Sequence, residues 1–269
     1  SYFSQSENTT INASKVYLMT PSAVDWLALD DIYSNYSSYG ILNAFNGDTI
    51  YGFNTNISST TSAIWSQFSH YIYKNAFCIV DGSGEDSLDL SEFSDNQHID
   101  LRPTDKNSYE LYSSNVAGLI GNLHIAADTF IENVLSGSGN DSLVGNNKDN
   151  TLDGGMGYDS MSGGDGDDIY AVDDVNDSVS EEGTTGTDTI FSTVTFTAPD
   201  NVENLTLKGS GDIDAIGNSL ANRLIGNSGD NTLSGGGEAD ILRGNNGTDS
   251  LYGGDGNDKL YGGSGADTM

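Results

Sequence analysis

Aspartate returns to the sixth place of a glycine- or serine-led block throughout this chain: Asp141, Asp159, Asp168, Asp240, Asp249, Asp258 and Asp267. The blocks SGSGNDSLV, GNNKDNTLD, GGMGYDSMS and GGDGDDIYA abut from Ser136 to Ala171. The same nine-residue frame resumes at Gly217 with GNSLANRLI, GNSGDNTLS, GGGEADILR, GNNGTDSLY, GGDGNDKLY and GGSGADTM. If two blocks make one coil of a stack, sixth positions 18 residues apart lie over each other, so Asp141 meets Asp159, Asp240 meets Asp258 and Asp249 meets Asp267. Carboxylates held at a strand spacing of about 4.8 Å repel. A hard divalent cation reverses the sign: calcium takes roughly six to eight oxygens, from carboxylates and from backbone carbonyls that glycine turns leave accessible. Zinc and copper suit these turns less, because they offer neither histidine nor thiolate.

The rest of the block supplies the elements that position those carboxylates. A frame G-G-x-G-x-D-x-U-x, with U large and apolar, divides into a six-residue turn and a three-residue strand whose single inward side chain is U. In the second run U is Leu224, Leu233, Leu242, Leu251, Leu260 and Met269. A flexible Gly-Asp linker would not need an apolar residue at each eighth place. The fold expected is all-β, a right-handed parallel β-roll in two modules, 136–171 and 217–269, the second breaking off in mid-pattern at Met269. Residues 172–216 form a degenerate β connector, in which TDTIFSTVTFT (187–197) alternates as a strand would, and VENLTLKGSGD from Val202 echoes IENVLSGSGND from Ile131. Residues 48–135 read as a β-rich start of the roll, with Ile50-Tyr51-Gly52-Phe53 and Phe77-Cys78-Ile79-Val80 as strands between turn residues. In the mixed segment 1–47, Thr20-Pro21-Ser22 and Asp25 start a helix over about 22–36, with Trp26, Leu29, Ile32, Tyr33 and Tyr36 on one face.

Composition supports a metal-filled structure. Of 269 residues, 40 are acidic and nine basic, a net charge of −31 that disfavours a compact state without counterions and makes nucleic acid and anionic membrane poor partners. Hydrophobic residues make up 35%, and there are 34 glycines, so one buried side chain per block must offset the ordering of nine backbones. Metal binding is then the expected folding switch, at weak extracellular calcium levels of about 0.1 to 1 mM. Cys78 is the single cysteine and reads as a buried apolar residue, so neither an intramolecular disulfide nor a thiolate cluster is available. No apolar run long enough to span a membrane and no N-terminal signal-peptide pattern is present. Neither a nucleophile elbow nor a phosphate loop occurs.

The nonapeptide resembles the calcium-binding repeat of RTX proteins. Four further stretches, PSAVDWLALDDIYSNYSSYG (Pro21 to Gly40), NGDTIYGFNTN (Asn46 to Asn56), DGSGEDSLDLSEFSDNQHIDL (Asp81 to Leu101) and GLIGNLHIAADTFIENVLSGSGND (Gly118 to Asp141), resemble in order the serralysin-type secreted zinc metalloproteases, from just after their catalytic site into their roll. SYFSQSEN at the start is similar to the residues after that family's Met-turn, which implies for Tyr2 the role of the zinc-facing tyrosine. No H-E-x-x-H occurs, and His70, His98 and His124 lack metal-ligand spacing and read as structural. The chain is therefore not expected to be active alone, and zinc enters only with a catalytic portion carried elsewhere.

The resemblance also implies ligand sets. Before the roll, the Phe45 and Gly47 carbonyls and Thr49 would face Asp81, the Ser83 and Gly84 carbonyls and Asp86. In the roll, each turn gives carbonyls one and three with its sixth residue, and the turn 18 residues on gives carbonyls two and four with its own. The rule pairs Ser136, Ser138 and Asp141 with Gly155, Gly157 and Asp159, and Gly145, Asn147 and Asn150 with Gly164, Gly166 and Asp168. It pairs Gly226, Ser228 and Asn231 with Asn245, Gly247 and Asp249, and sets Gly236 against the turn that ends in Asn222. Last, Gly235, Gly237 and Asp240 pair with Gly254, Gly256 and Asp258, and Gly244, Asn246 and Asp249 with Gly263, Gly265 and Asp267. Sites with Asn150, Asn222 or Asn231 at the sixth place, keeping one neutral oxygen, are expected to be weaker or empty, and Asp177, 18 residues after Asp159, to close the first module. The function implied is calcium-dependent folding and stabilisation of a secreted, extracellular protease after export through a type I secretion machinery. A non-enzymatic extracellular structural or adhesive RTX protein is the alternative.

Overall fold

The computed structural model describes residues 17–18, 47–57, 67–105, 111–182 and 185–269. Tyr2, the helix expected over 22–36 and Phe45 lie outside the described residues. The chain divides into two compact units, Ser1–Asn146 and Asn147–Met269.

The first unit contains β1 (Tyr17–Leu18), β2 (Ile50–Gly52), β3 (Asn75–Ile79), β4 (Ser87–Asp89), β5 (His98–Asp100), β6 (Leu123–Ile125), β7 (Asn133–Leu135) and β8 (Ser142–Val144). Every named pairing is parallel: β3 lies between β1 and β6, β4 between β2 and β7, and β5 beside β8. Strand β3, NAFCI, is buried along its whole length, which explains its unbroken apolar character and places Cys78 inside, as the sequence implied. A one-turn helix, α1 (Phe68–Tyr71), which periodicity did not reveal, brings Phe68 edge-on against Phe53, with ring centroids 6.1 Å apart.

The second unit contains β9 (Thr151–Asp153), β10 (Ser160–Ser162), β11 (Ile169–Val172), β12 (Ser178–Ser180), β13 (Thr189–Ser192), β14 (Phe196–Thr197), β15 (Asn204–Leu207), β16 (Ala215–Ile216), β17 (Arg223–Ile225), β18 (Thr232–Gly236), β19 (Ile241–Asn246), β20 (Ser250–Gly254) and β21 (Lys259–Ser264). Odd-numbered strands pair in parallel to form one wall, while β10 with β12 and β14 with β16, β18 and β20 form the other. Chain direction thus alternates between walls, as a β-roll requires. Register runs along the U positions: Leu152, Tyr170, Ile190, Leu205, Leu224, Leu242 and Leu260 stack on one wall. All are buried except Leu260, which is half-buried. Flanking side chains such as Ile169, Tyr252 and Tyr261 point outward and are exposed.

The connector adds rungs to this same stack. TDTIFSTVTFT, read as one strand, is two, β13 and β14, because Ser192 Oγ donates to the Val194 carbonyl at 2.7 Å and turns the chain from one wall to the other. Coil length varies here: backbone-to-carboxylate bonds that span 18 residues in the repeats span 20 from Asp168 to Asp188 and 15 from Asp188 to Glu203.

Candidate metal centres

At each repeat turn the sixth-place carboxylate does two things. Its Oδ1 accepts the backbone N–H of the sixth residue one coil earlier: Asn150 from Asp168 at 2.7 Å, Asp159 from Asp177 at 2.9 Å, Asn222 from Asp240 at 2.7 Å, Asn231 from Asp249 at 2.9 Å, and Asp240 from Asp258 and Asp249 from Asp267 at 3.0 Å, the N–H donor named first in each pair. Its Oδ2 folds back over the first glycine of its own block. A Cβ at Gly235 would lie 2.1 Å from Asp240 Oδ2 and one at Gly244 would lie 2.2 Å from Asp249 Oδ2, so the first glycine is required for space. The second and fourth places face the preceding coil. At Gly254, φ is +99° and a Cβ would lie 2.2 Å from the Gly236 carbonyl oxygen, so both conformation and clearance exclude a side chain there.

The Oδ2 atoms of Asp168, Asp240 and Asp249 are buried and have no hydrogen-bond donor. Buried carboxylate oxygens without donors are costly, and a cation lined by oxygens meets the need that no N–H here meets. Burial raises the pKa of Asp240 and of Asp249, opposed by the N–H bonds from Asn222 and Asn231 and reinforced by the charges of Asp258 and Asp267. The glycine-rich pairs Gly235, Gly237 with Gly254, Gly256, and Gly244, Asn246 with Gly263, Gly265, lie on adjacent coils whose strands are in register. The donor set, carboxylate and peptide oxygen alone, fits calcium.

Other sixth places are satisfied by the protein itself. Asn231 Nδ2 donates to the Ile213 carbonyl at 2.7 Å, and Asn222 Nδ2 to those of Val202 and Glu203 at 3.0 and 3.2 Å. Asparagine at the second place does likewise: Asn227 Nδ2 reaches the Lys208 and Gly211 carbonyls. An amide NH2 therefore occupies carbonyls that would otherwise be available to an ion. Asp177 holds the ladder position 18 residues after Asp159, yet its Oδ2 accepts two local N–H groups, from Asp173 and Asp174, both at 3.0 Å. Ser136, Ser138 and Asp141 belong to the first unit, and Gly155, Gly157 and Asp159 to the second. Within the first unit, Asp141 Oδ1 accepts the Gln97 N–H at 2.7 Å and Oδ2 accepts the Ser136 hydroxyl.

Ahead of the repeats, parallel pairing of β2 with β4 brings Gly47, Thr49, Ser83, Gly84 and Asp86 side by side. Thr49 N–H donates to Asp86 Oδ1 at 2.7 Å, and Gly47 N–H to the Ser83 carbonyl at 2.5 Å. Asp81 Oδ2 accepts the Tyr51 hydroxyl at 2.6 Å. Glu132, which the sequence reading passed over, accepts the Asp86 N–H at 2.8 Å and so takes the part that a sixth-place aspartate plays in the repeats. Burial, opposed by the Thr49 bond and aided by the charges of Asp81 and Glu132, pushes Asp86 up to about 7. Glu203 repeats this role toward the Asp188 N–H at 2.9 Å. The echo of VENLTL with IENVL was the signal for both glutamates. A second, outer ladder was also missed: fifth-place Asp149, Asp167 and Asp230 accept N–H groups of the following coil at Asp167, Thr187 and Thr248. Two of the three histidines make local structural contacts: His98 Nδ1 lies 3.2 Å from Ser142 Oγ, and His124 Nδ1 3.1 Å from the Tyr112 carbonyl.

Parallel coils whose glycine turns carry stacked acids define a β-roll of the calcium-repeat class. The family model of the RTX calcium-binding nonapeptide repeat matches residues 216–251 and 234–269, and that of the peptidase M10 serralysin C terminal matches 41–198. The chain belongs to the peptidase M10 serralysin C-terminal family. Metallopeptidase AprA of Pseudomonas marginalis is 38% identical over 162 residues, 56% of this chain and 29% of its own length. A serralysin of Photorhabdus luminescens is 38% identical over 153 residues, 56% of this chain and 28% of its own. Serralysin A of Dickeya chrysanthemi is 38% identical over 117 residues, 43% of this chain and 22% of its own. The chain thus spans under a third of the length of these relatives. No helix among the described residues is long and apolar enough to cross a membrane.

Proposed function

We propose that this chain is the calcium-binding C-terminal region of a secreted serralysin-like zinc metalloprotease, and that calcium drives its folding and holds it folded outside the cell. The observation that carries the reading is the buried Oδ2 of Asp240 and of Asp249, each without a donor beside glycine turns that allow peptide oxygens to approach. Asp240 with Asp258, and Asp249 with Asp267, together with the Gly235, Gly237, Gly254, Gly256, Gly244, Asn246, Gly263 and Gly265 carbonyls, would hold ions between coils. The pre-roll loops of Gly47, Thr49, Asp81, Ser83, Gly84 and Asp86 would hold another. Turns with Asn222 or Asn231 at the sixth place, whose amides already donate to carbonyls, would stay empty. Calcium supplies the positive charge that lets these carboxylates remain ionised and close together.

Export in a calcium-poor, unfolded state through a type I machinery, followed by folding where calcium is plentiful, follows from that dependence. Catalytic zinc would belong to a portion carrying H-E-x-x-H, which this sequence does not contain. Far-ultraviolet circular dichroism after EGTA treatment tests the folding claim: β-structure should appear cooperatively at about 0.1 to 1 mM calcium, and a spectrum that does not change across the titration refutes it. Intact mass and terminal sequencing of the protein from its source test the protease claim. An upstream H-E-x-x-H segment supports it, and a natural N-terminus at Ser1 would favour a non-enzymatic extracellular protein.

A further inference from the structure

Acid is so abundant in the second unit that a face without it stands out. On the outer side of the wall built by β13, β15, β17, β19 and β21, the positions that flank each inward side chain include no acidic residue. Of the five basic residues from Asn147 onward, four stand here: Lys208 just past β15, Arg223 on β17, Arg243 on β19 and Lys259 on β21. All four are exposed, and no described carboxylate pairs with any of them.

Register sets their spacing. Arg223, Ile241 and Lys259 are Cα partners in one row, and Ile225, Arg243 and Tyr261 in the next, so the cations alternate between rows from rung to rung. Four successive rungs thus carry one positive charge each, at steps of about 4.8 Å along the roll. Two of the cations are laid over rings: the Lys208 ammonium is 3.8 Å from the Phe191 ring centroid, and the Arg243 guanidinium carbon 5.2 Å from that of Tyr261. Such contacts hold long side chains close to the sheet, and Tyr261 remains 49% exposed.

We propose that this face binds an acidic polysaccharide whose sugar rings each carry a carboxylate, lying along the axis of the roll. Charge complementarity selects an anion, and the step between charges selects which. Each uronate ring of such a chain advances by about one rung, so consecutive carboxylates meet consecutive cations. Where successive rings are turned over, their carboxylates alternate sides as the cations do, and Tyr261 offers a ring to the apolar C–H face of a sugar. An extended acidic peptide matches poorly, because its side chains return to one face only about every 6.6 Å. An acidic helix needs an apolar seat, and Ile225 and Ile241 are the only aliphatic residues among the outward side chains of these five strands. The net charge of −31 does not forbid the contact: at physiological salt, charges beyond about 8 Å are largely screened, so a ligand here responds chiefly to the four cations beneath it. Calcium enters only as the condition that keeps the roll folded.

A hexamer of β-linked glucuronate tests the site on the whole chain in millimolar calcium. Isothermal titration calorimetry should show binding that weakens as salt is raised, and binding about tenfold weaker or more in the R223E/R243E double variant. Lys74→Glu, in the first unit, should bind as the unmodified chain does. No binding, equal binding by the double variant, or equal binding of the neutral β-linked glucose hexamer overturns the proposal. Tighter binding of hexaglutamate also overturns it and assigns the face to an acidic polypeptide. Both substituted positions are exposed, so circular dichroism in calcium should show the variant folded. If it does not fold, acetylation of the unmodified chain decides: the bound hexamer should protect Lys208 and Lys259 but not Lys74, and a lack of protection overturns the site.

Discussion

Asp249 and Asn231 occupy the same place in neighbouring coils and show what one atom changes. Both side chains sit at a buried turn, but Asn231 spends its NH2 on the Ile213 carbonyl, whereas Asp249 Oδ2 meets no donor. Substitution D249N should therefore convert an ion-binding turn into an amide-bonded one. The expected outcome is one fewer calcium per chain by native mass spectrometry and, in EGTA at neutral pH, more residual β-structure by circular dichroism than the unmodified chain keeps. Gly254→Ala should act in the opposite sense. With φ at +99° and a carbonyl in the way, it should cost at least about 1 to 2 kcal/mol, read as a higher calcium midpoint. The sixth-place aspartates were legible because period alone aligns them. That turns with asparagine at the sixth place should be weaker or empty was also legible from residue type, whereas the direction of the Asn222 and Asn231 amides, NH2 toward carbonyls, was not, because a sequence does not say which end of an amide faces the turn. Glu132 and Glu203 were missed because each stands outside the nonapeptide frame.

At the scale of strands, one inward side chain per rung carries the core. Leu242 is fully buried between Leu224 and Leu260, so Leu242→Ala should lose about 2 to 5 kcal/mol. Tyr252 is exposed on the outer face of β20, and Tyr252→Ala should stay within about 0.5 kcal/mol. Urea unfolding of both variants in saturating calcium separates the two. This alternation was plain in the repeats, whereas IYGF and FCIV were legible as short apolar runs between turn residues, FCIV being buried throughout. Rung boundaries in the connector were not, since TDTIFSTVTFT has strand character throughout and only the Ser192 bond to Val194 shows where the chain turns. The two-residue surplus that replaces Gly186 by Asp188 opposite Asp168 is likewise a property of the stacked coil, invisible to a fixed period.

For the molecule as a whole, charge and proton binding oppose calcium. Burial, with neighbouring carboxylates adding to it, pushes Asp168 and Asp188 in the second unit and Asp86 in the first to about 7, against about 3.9 in an unfolded chain. Folded pKa values above the unfolded ones mean that the calcium-free fold binds extra protons. That contribution is fully present below about pH 4 and is lost as pH rises through about 7. In EGTA, any β-structure kept at acid pH should therefore be lost as pH rises from 5 to 8, roughly the span over which these groups ionise, as circular dichroism would read. In saturating calcium the dependence should reverse, because the ion requires the same groups deprotonated. A net charge of −31 points the same way, since a compact calcium-free chain at neutral pH repels itself.

The most direct test is amide hydrogen exchange of the whole chain, followed by mass spectrometry in EGTA and in millimolar calcium at pH 7.5. Ion-driven folding predicts that peptides spanning β17 to β21 exchange within seconds in EGTA and become protected together as calcium is added. The N–H groups of Asp240 and Asp249, donors to the next carboxylate of the ladder, should be among the slowest. Equal protection with and without calcium would mean that the roll folds on its apolar stack alone, and would contradict the account.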